Sequence, residues 1–326
     1  NLLTVEEALQ EHYNVFTLTS VTGMFELLEH VAPHLILLDI EMPGTDGFKA
    51  LEQLKTSKQY ANIPVIFLTG RRDSQTEVRG FEMGVIDFVT KPFSKPVLLN
   101  RIKTHLNIEE IIQERTEKLQ RVKNSIVSTL ANMVESRDIL TGKHIENTAK
   151  YMRIFLNAMF EHKVYFNEIS NWDLEIVISA TRLHDIGKIA VPDLILNKTE
   201  CLTKEEFEIM KTHAAKGEAI IDNILEEAGN DDLLQNAKLL VGYHHEYWDG
   251  TGYPQQLAGE DIPLQGRVMA LVDVYDALVS ERPYKPAFTH EKATKIIIES
   301  KGKQFDPSIV DVFLKVSDQF AKVRGS

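Results

Sequence analysis

Five histidines and two aspartates between His144 and Asp273 carry the clearest chemistry in this 326-residue chain. His184-Asp185 falls in the apolar stretch Ile176–Ile186, expected to be helical, and Gly187-Lys188 follows it. His213 comes 28 residues after Asp185, His244-His245 begin 31 residues after His213, and Asp273 lies 28 residues after His245. His144 precedes them all. Taken alone, His144 or His213 reads as a hydrogen-bonded core histidine. The adjacent pair His244-His245 is less ordinary, and His184-Asp185 on an apolar face less still. Burying an unpaired aspartate is costly, so Asp185 needs a cation or a hydrogen-bond network. The set offers nitrogen and oxygen donors and no thiolate. It exceeds the needs of one tetrahedral ion and suits two octahedral ions bridged by a carboxylate. Fe or Mn fits it best, with Zn as an alternative; Mg and Ca prefer all-oxygen shells. Lys188 is one helical turn from His184 and shares its face; its bland reading is a surface lysine.

A second group of polar residues falls at strand ends in the first third of the chain. Asn14–Thr19 reads as a strand, Met24–Val31 as a helix and His34–Asp39 as a buried strand. A helix over Phe48–Lys55, the strand Pro64–Thr69, a helix near Gln75–Glu82 and the strand Val85–Thr90 follow. Strands alternating with helices imply a parallel sheet covered on both faces. Such sheets place ligands at the C-terminal ends of their strands, and Asp39, Thr69 and Lys91 stand there.

From Ser94 to about Arg137 the pattern is one long helix. Ile112, Leu119, Ile126 and Met133 recur every seven residues, and a second seam runs through Ile108, Arg115, Val122 and Thr129. This suits a short two-stranded coiled coil and hence a homodimer; the alternative is a single amphipathic helix packed on one of the domains. Beyond Thr141 the chain reads as helical, with loops near Val191–Thr203 and Tyr247–Pro263.

Composition narrows the function. Lys plus Arg number 36 against 48 Asp plus Glu, a net charge of −12. Such a chain repels nucleic-acid phosphates, and a DNA-binding regulator would need a basic output domain, which the sequence lacks. No apolar run approaches the ~18 residues of a membrane span, and no signal pattern opens the chain. The only cysteine, Cys201, excludes an internal disulfide. A cytoplasmic, globular, multidomain protein is expected.

Asp39-Ile-Glu-Met-Pro-Gly, Thr69 and Lys91-Pro92, set in this strand rhythm, resemble the receiver domain of two-component response regulators over residues 1–108. The resemblance implies a flavodoxin-like parallel sheet and a sensor histidine kinase as partner. It implies that Asp39 accepts a phosphoryl group, Thr69 hydrogen-bonds it and Lys91 pairs with it. It also implies a cis Lys91–Pro92 peptide and places Phe88 at an aromatic switch position. The family's first strand ends in an acidic pair that holds Mg²⁺ for phosphorylation. Here the chain opens in what reads as the first helix, with Thr4-Val-Glu-Glu7 as a capping box. That strand is central in the family's sheet, so its absence should leave a hole. The expectation is that the natural protein begins upstream of Asn1, the alternative being a degenerate receiver.

The segments His244-His-Glu-Tyr-Trp-Asp-Gly-Thr-Gly-Tyr-Pro254 and Asp273-Val-Tyr-Asp-Ala-Leu-Val-Ser-Glu-Arg-Pro-Tyr-Lys285 resemble the HD-GYP branch of the HD superfamily of metal-dependent phosphohydrolases. The resemblance implies an all-α domain over residues 130–322, after a linker helix at 94–137. It implies a phosphodiesterase acting on cyclic di-GMP, giving pGpG, with further cleavage to GMP left open. By position, His144, His184, Asp185, His213, His244, His245 and Asp273 become metal ligands, with Asp185 as bridge and a catalytic residue. Lys188 becomes a catalytic contact to the scissile phosphate, and Tyr253, Arg282 and Lys285 become substrate-binding residues. Leu140 replaces a glutamate that recruits a third metal in some members, which predicts two ions. Asn147 replaces a customary arginine. Two other readings are an inactive cyclic di-GMP-binding adaptor and a hydrolase of another nucleotide. A complete ligand set and Lys188 argue against the first.

Overall fold

A computed structural model describes residues 2–42, 45–70, 74–137, 144–281 and 286–323. The chain divides into two compact units, Asn1–Leu119 and Gln120–Ser326. Leu140, Arg282 and Lys285 lie outside the described residues.

The first unit runs α1 (Leu2–Leu9), α2 (Val21–Leu28), β1 (Ile36–Asp39), a small hairpin of β2 (Glu41–Met42) and β3 (Thr45–Asp46), α3 (Gly47–Thr56), β4 (Val65–Thr69), α4 (Ser74–Glu82) and β5 (Asp87–Thr90). The sheet order is β1-β4-β5, all parallel. Every residue of β4 is buried, as a central parallel strand covered on both faces requires. The register pairs Asp39 with Leu68 and Thr69 with Thr90. Asp39 and Thr69 therefore end adjacent strands, and Lys91 leaves the third.

Two expectations fail here. Asn14–Thr19 forms no strand. A cavity of about 1160 Å³ is lined by Asn14, Val15, Phe16 and Leu18 and by β1 residues Ile36 to Asp39. An extended segment makes a ladder only beside a partner about 4.8 Å away, and the cavity intervenes. Thr4 is also not a cap, because α1 already begins at Leu2.

Helix α5 (Lys95–Glu135) is continuous over 41 residues. Leu98 and Ile102 are buried near its start, and Val127, Ala131 and Val134 near its end. Between them Ile108, Ile112, Leu119, Val122 and Ile126 are exposed, as is Met133.

The second unit continues α6 (His144–Glu161), α7 (Phe166–Ile169), α8 (Leu174–Ala180), α9 (Asp193–Leu196), α10 (Lys204–Ala228), α11 (Asp232–Tyr243), α12 (Leu264–Val279), α13 (His290–Glu299) and α14 (Pro307–Val323). Its core is aromatic at the centre. Tyr151 of α6 stacks on Phe320 of α14 at 4.7 Å, and Tyr275 of α12 meets both edge-on. These contacts fix α12 against α6. Among the described residues no helix is long and apolar enough to cross a membrane.

Candidate metal centre

His184 and Asp185 do not lie on a continuous α-helix. Helix α8 ends at Ala180, a 3₁₀ turn covers Thr181–Leu183, and a second covers Ile186–Ala190. Asp185 sits at the junction with φ −103° and ψ 11°. Gly187 permits this path. A Cβ at Gly187 would collide with the carbonyl oxygen of His213, and one at Gly217 would crowd the Gly187 backbone and the Val241 side chain. The turn therefore lies directly on α10, which brings His213 to Asp185. Helix α10 is set by a capping box of Thr203 and Glu206. Helix α11 ends at Tyr243, so His244 and His245 leave its C-terminus. Asp273 comes from α12, and His144 is the first residue of α6.

The donors form two groups, each within 4.8 Å. One comprises His144, His184 and Asp185, and the other His213, His244 and His245. Asp185 stands between them. Its Oδ2 lies 3.2 Å from His184 Nε2, while its Oδ1 lies 3.4 Å from His213 Nε2 and 3.9 Å from His244 Nε2. Asp273 Oδ1 joins the first group, 3.5 Å from His144 Nε2 and 3.8 Å from His184 Nε2. The structure thus brings all seven candidate donors together. Oxygen and imidazole donors in two clusters sharing a carboxylate fit a pair of divalent ions.

The electrostatics match an ion-binding site. Burial opposes ionisation of Asp185, but Lys188, His184 and His213 outweigh it and hold its carboxyl well below the usual range. Burial likewise opposes the charge on Asp273, and His184 and His144 overcome it. Burial alone would lower His184, yet Asp185 and Asp273 hold its imidazolium up to about 9. Burial and charged His184 push His244 down to about 4. His245 falls well below its ordinary value through burial and then His244 and His213. The second group is therefore neutral imidazole, ready to ligate.

Lys188 Nζ lies 2.9 Å from Asp185 Oδ2. Its place follows from pairing with Asp185 across the 3₁₀ turn, rather than from a shared α-helical face with His184. Tyr253 stacks on His245 at 4.7 Å between ring centres, and its peptide N–H donates to His245 O. Its loop is tied down by buried Glu246, whose carboxylate accepts the N–H groups of Gln255, Gln256 and Leu257. The Tyr253–Pro254 peptide is cis.

In the first unit, the Lys91 ammonium binds Asp39 Oδ2, and Asp39 Oδ1 accepts the N–H of Glu41. Thr69 is buried one position beyond the Asp39–Leu68 pair. Lys91–Pro92 is cis. Phe88 is buried between Phe67 and Phe81.

Residues 128–309 match the HD domain and residues 2–103 match the response regulator receiver domain. The HD match covers more than half the chain. The chain belongs to the HD-domain family. A probable cyclic di-GMP phosphodiesterase of Vibrio cholerae is 36% identical, over 99% of this chain and 77% of that protein. The cyclic di-GMP phosphodiesterase response regulator RpfG of Xanthomonas campestris is 32% identical, over 89% and 77%. A 3′3′-cGAMP-specific phosphodiesterase of Vibrio cholerae is 33% identical, over 83% of this chain and 49% of that protein. An HD domain implies divalent-metal binding, and a receiver implies a kinase partner.

Three residues near the HD centre escape a reading by motif alone. Glu135, the last residue of α5, caps α6: its carboxylate takes the N–H groups of His144 and Ile145, and burial raises its pKa. Lys211 holds its ammonium 5.6 Å from the Tyr253 ring centre. Asp276 reaches the His144 ring. The three-residue spacing from Asp273 marks Asp276 as sharing its helix face; nothing in the sequence marks the other two.

Proposed function

We propose that this chain is a two-metal phosphodiesterase that opens cyclic di-GMP to pGpG, governed by phosphorylation at Asp39. The observation that carries this reading is Asp185, whose two oxygens face separate donor clusters. His144, His184, Asp185 and Asp273 would hold one ion, and His213, His244, His245 and Asp185 the other. Ions so held supply a water acidified to near neutral pH and offset charge on the phosphoryl oxygens. Fe or Mn suits the donors best.

The chain's own groups do the rest. Lys188, whose Nζ lies 2.9 Å from Asp185 Oδ2, would present its ammonium to a non-bridging phosphate oxygen. Tyr253 is held as the neutral phenol by burial, so it can donate a hydrogen bond and offer a ring face to a base. Water oxygen bonds to phosphorus as the P–O3′ bond breaks, and the 3′ oxygen leaves with a proton. Arg282 and Lys285, assigned to substrate phosphate and guanine by resemblance, complete the binding surface in this reading.

The exposed heptad seam of α5 supports a homodimer through residues 94–137, between a receiver over 1–108 and an HD domain over 130–322. A helix pair there would carry the phosphorylation signal as a change of geometry between two states.

The test is product analysis with Mn²⁺- or Fe²⁺-loaded protein, offering cyclic di-GMP and 3′3′-cGAMP separately, with Asp185→Ala as control. Turnover of cyclic di-GMP, lost by about a thousandfold or more in the control, is expected. This exceeds the 10–100-fold that outer-shell changes cost. Preference for 3′3′-cGAMP would transfer the reading to that substrate, as the similarity to one such enzyme allows. Binding without turnover would make the chain an adaptor.

A further inference from the structure

The rings that face the metal centre are not oriented in the same way. His184 Nδ1 donates to Thr181 O at 2.9 Å, and His213 Nδ1 to Met210 O at 2.8 Å. His244 Nδ1 lies 3.0 Å from both Leu240 O and Val241 O. Each of these rings is steadied by a neutral carbonyl three or four residues earlier in its own helix or turn. His144, the first residue of α6, is anchored differently. Its Nδ1 instead donates to Asp276 Oδ2 at 2.6 Å, from α12, 132 residues later.

The His144 contact is the shorter of the two that Asp276 Oδ2 makes. Asp276 is 1% exposed, Ser280 Oγ donates weakly to the same oxygen at 3.3 Å, and Oδ1 has no hydrogen-bond partner among the described residues. A buried carboxylate with one oxygen unpaired is a costly feature to place in a core. Tyr275 on the neighbouring face packs into the aromatic core and fixes the helix at this rotation. With Nδ1 committed, His144 Nε2 points at His184 Nε2, 3.3 Å away, and at Asp273 Oδ1, 3.5 Å away.

We propose that Asp276 is a positioning residue that makes His144 an Nε2 ligand and makes the two metal positions unequal. A carboxylate behind an imidazole fixes its tautomer and raises its basicity. Asp276 gives that support to the position of His144, His184, Asp185 and Asp273 alone. The position of His213, His244 and His245 has only neutral carbonyls behind the two rings whose second nitrogen is anchored. The first position is therefore the tighter one, and it is the one that depends on Asp276. This inference rests on the metal-centre reading above.

The test is metal stoichiometry and affinity, measured without reference to activity. Metal-stripped full-length protein is titrated with Co²⁺ against a chelator, following the visible absorption of bound cobalt, for wild type, Asp276→Ala and Asp276→Asn. Two classes of site are expected in wild type. In Asp276→Ala the tighter class weakens about 10–100-fold, while the other stays within threefold. Asp276→Asn falls between, because its amide oxygen still accepts from Nδ1 but without charge. The amide variant also keeps the side-chain volume, so it carries the test if the alanine variant does not fold. A folded Asp276→Asn protein with both affinities unchanged would overturn the proposal. Equal weakening of both classes would overturn it too, since that marks a general structural role. Wild-type protein that binds no Co²⁺ would instead remove the metal-centre reading itself.

Discussion

Asp39 in the first unit is about one-third exposed and has the Lys91 ammonium beside it. Asp185 in the second unit is enclosed by His184, His213, His244 and Lys188. Three strand ends, adjacent in one parallel register, present the Asp39 site. The Asp185 site draws on α6, two 3₁₀ turns, α10, α11 and α12, from His144 to Asp273. A strand-end site is fixed by local backbone pairing and can stay open to a phosphodonor. A helical centre is fixed by tertiary packing, so its accuracy depends on contacts remote from its donors. The first should tolerate change around it, and the second should not.

The contrast is tested most strongly at Gly187. This residue ligates nothing, yet a side chain there would meet the His213 carbonyl and drive α10 away from Asp185. Gly187→Ala is expected to lose stability at or beyond the upper end of the ~1–3 kcal/mol typical of overpacking. Separating the two donor clusters by an ångström would cost about 10²-fold in turnover. Urea unfolding and steady-state hydrolysis check the pair of effects. Gly187→Ala with wild-type turnover would show that the centre is set locally after all.

The same contrast explains what the sequence makes legible. Strand rhythm located Asp39, Thr69 and Lys91 because each ends an apolar run, and backbone register then brings them together. The seven candidate metal donors stand out by residue type and spacing, since burying imidazoles and carboxylates is rare without a use. What remained hidden depends on three-dimensional approach. The apolar run around His184 reads as one helix, but Gly187 against α10 breaks it into 3₁₀ turns. Asn14–Thr19 has a strand's composition and lacks a neighbour to pair with. Glu135 and Lys211 look like ordinary charged helix residues until α6 and the Tyr253 loop are placed beside them.

A second, smaller effect separates the two regions by pH. In the metal-free HD domain His213, His244 and His245 are held below the ordinary histidine value of 6.5. Between about pH 4 and 6.5 the unfolded chain then binds more protons at these positions, so stability falls as pH drops through that window. His184 acts oppositely. Its contribution is fully present below 6.5 and is lost as pH rises through about 9. Chelated protein should therefore be most stable near pH 6.5, as read from urea midpoints between pH 4.5 and 9.5. Added metal should flatten the alkaline side, because ligation replaces the His184 proton and releases it. A metal-free profile that rises steadily to pH 9 would mean that His184 is not held as the imidazolium.

The smallest effect belongs to the Asp39–Lys91 pair. Its side chains are 32% and 22% exposed, and water screens much of their attraction. Partly exposed pairs of this kind contribute about 0.2–1 kcal/mol. Lys91→Ala should thus lower stability by less than about 1 kcal/mol in low salt, and by less again in 0.5 M NaCl, where the Debye length is only a few ångströms. Asp39 would keep the Glu41 N–H on its other oxygen, so the strand end should hold its shape. A loss of 3 kcal/mol, insensitive to salt, would place Asp39 in an environment as closed as that of Asp185. It would also remove the reason for expecting an outside phosphodonor to reach it.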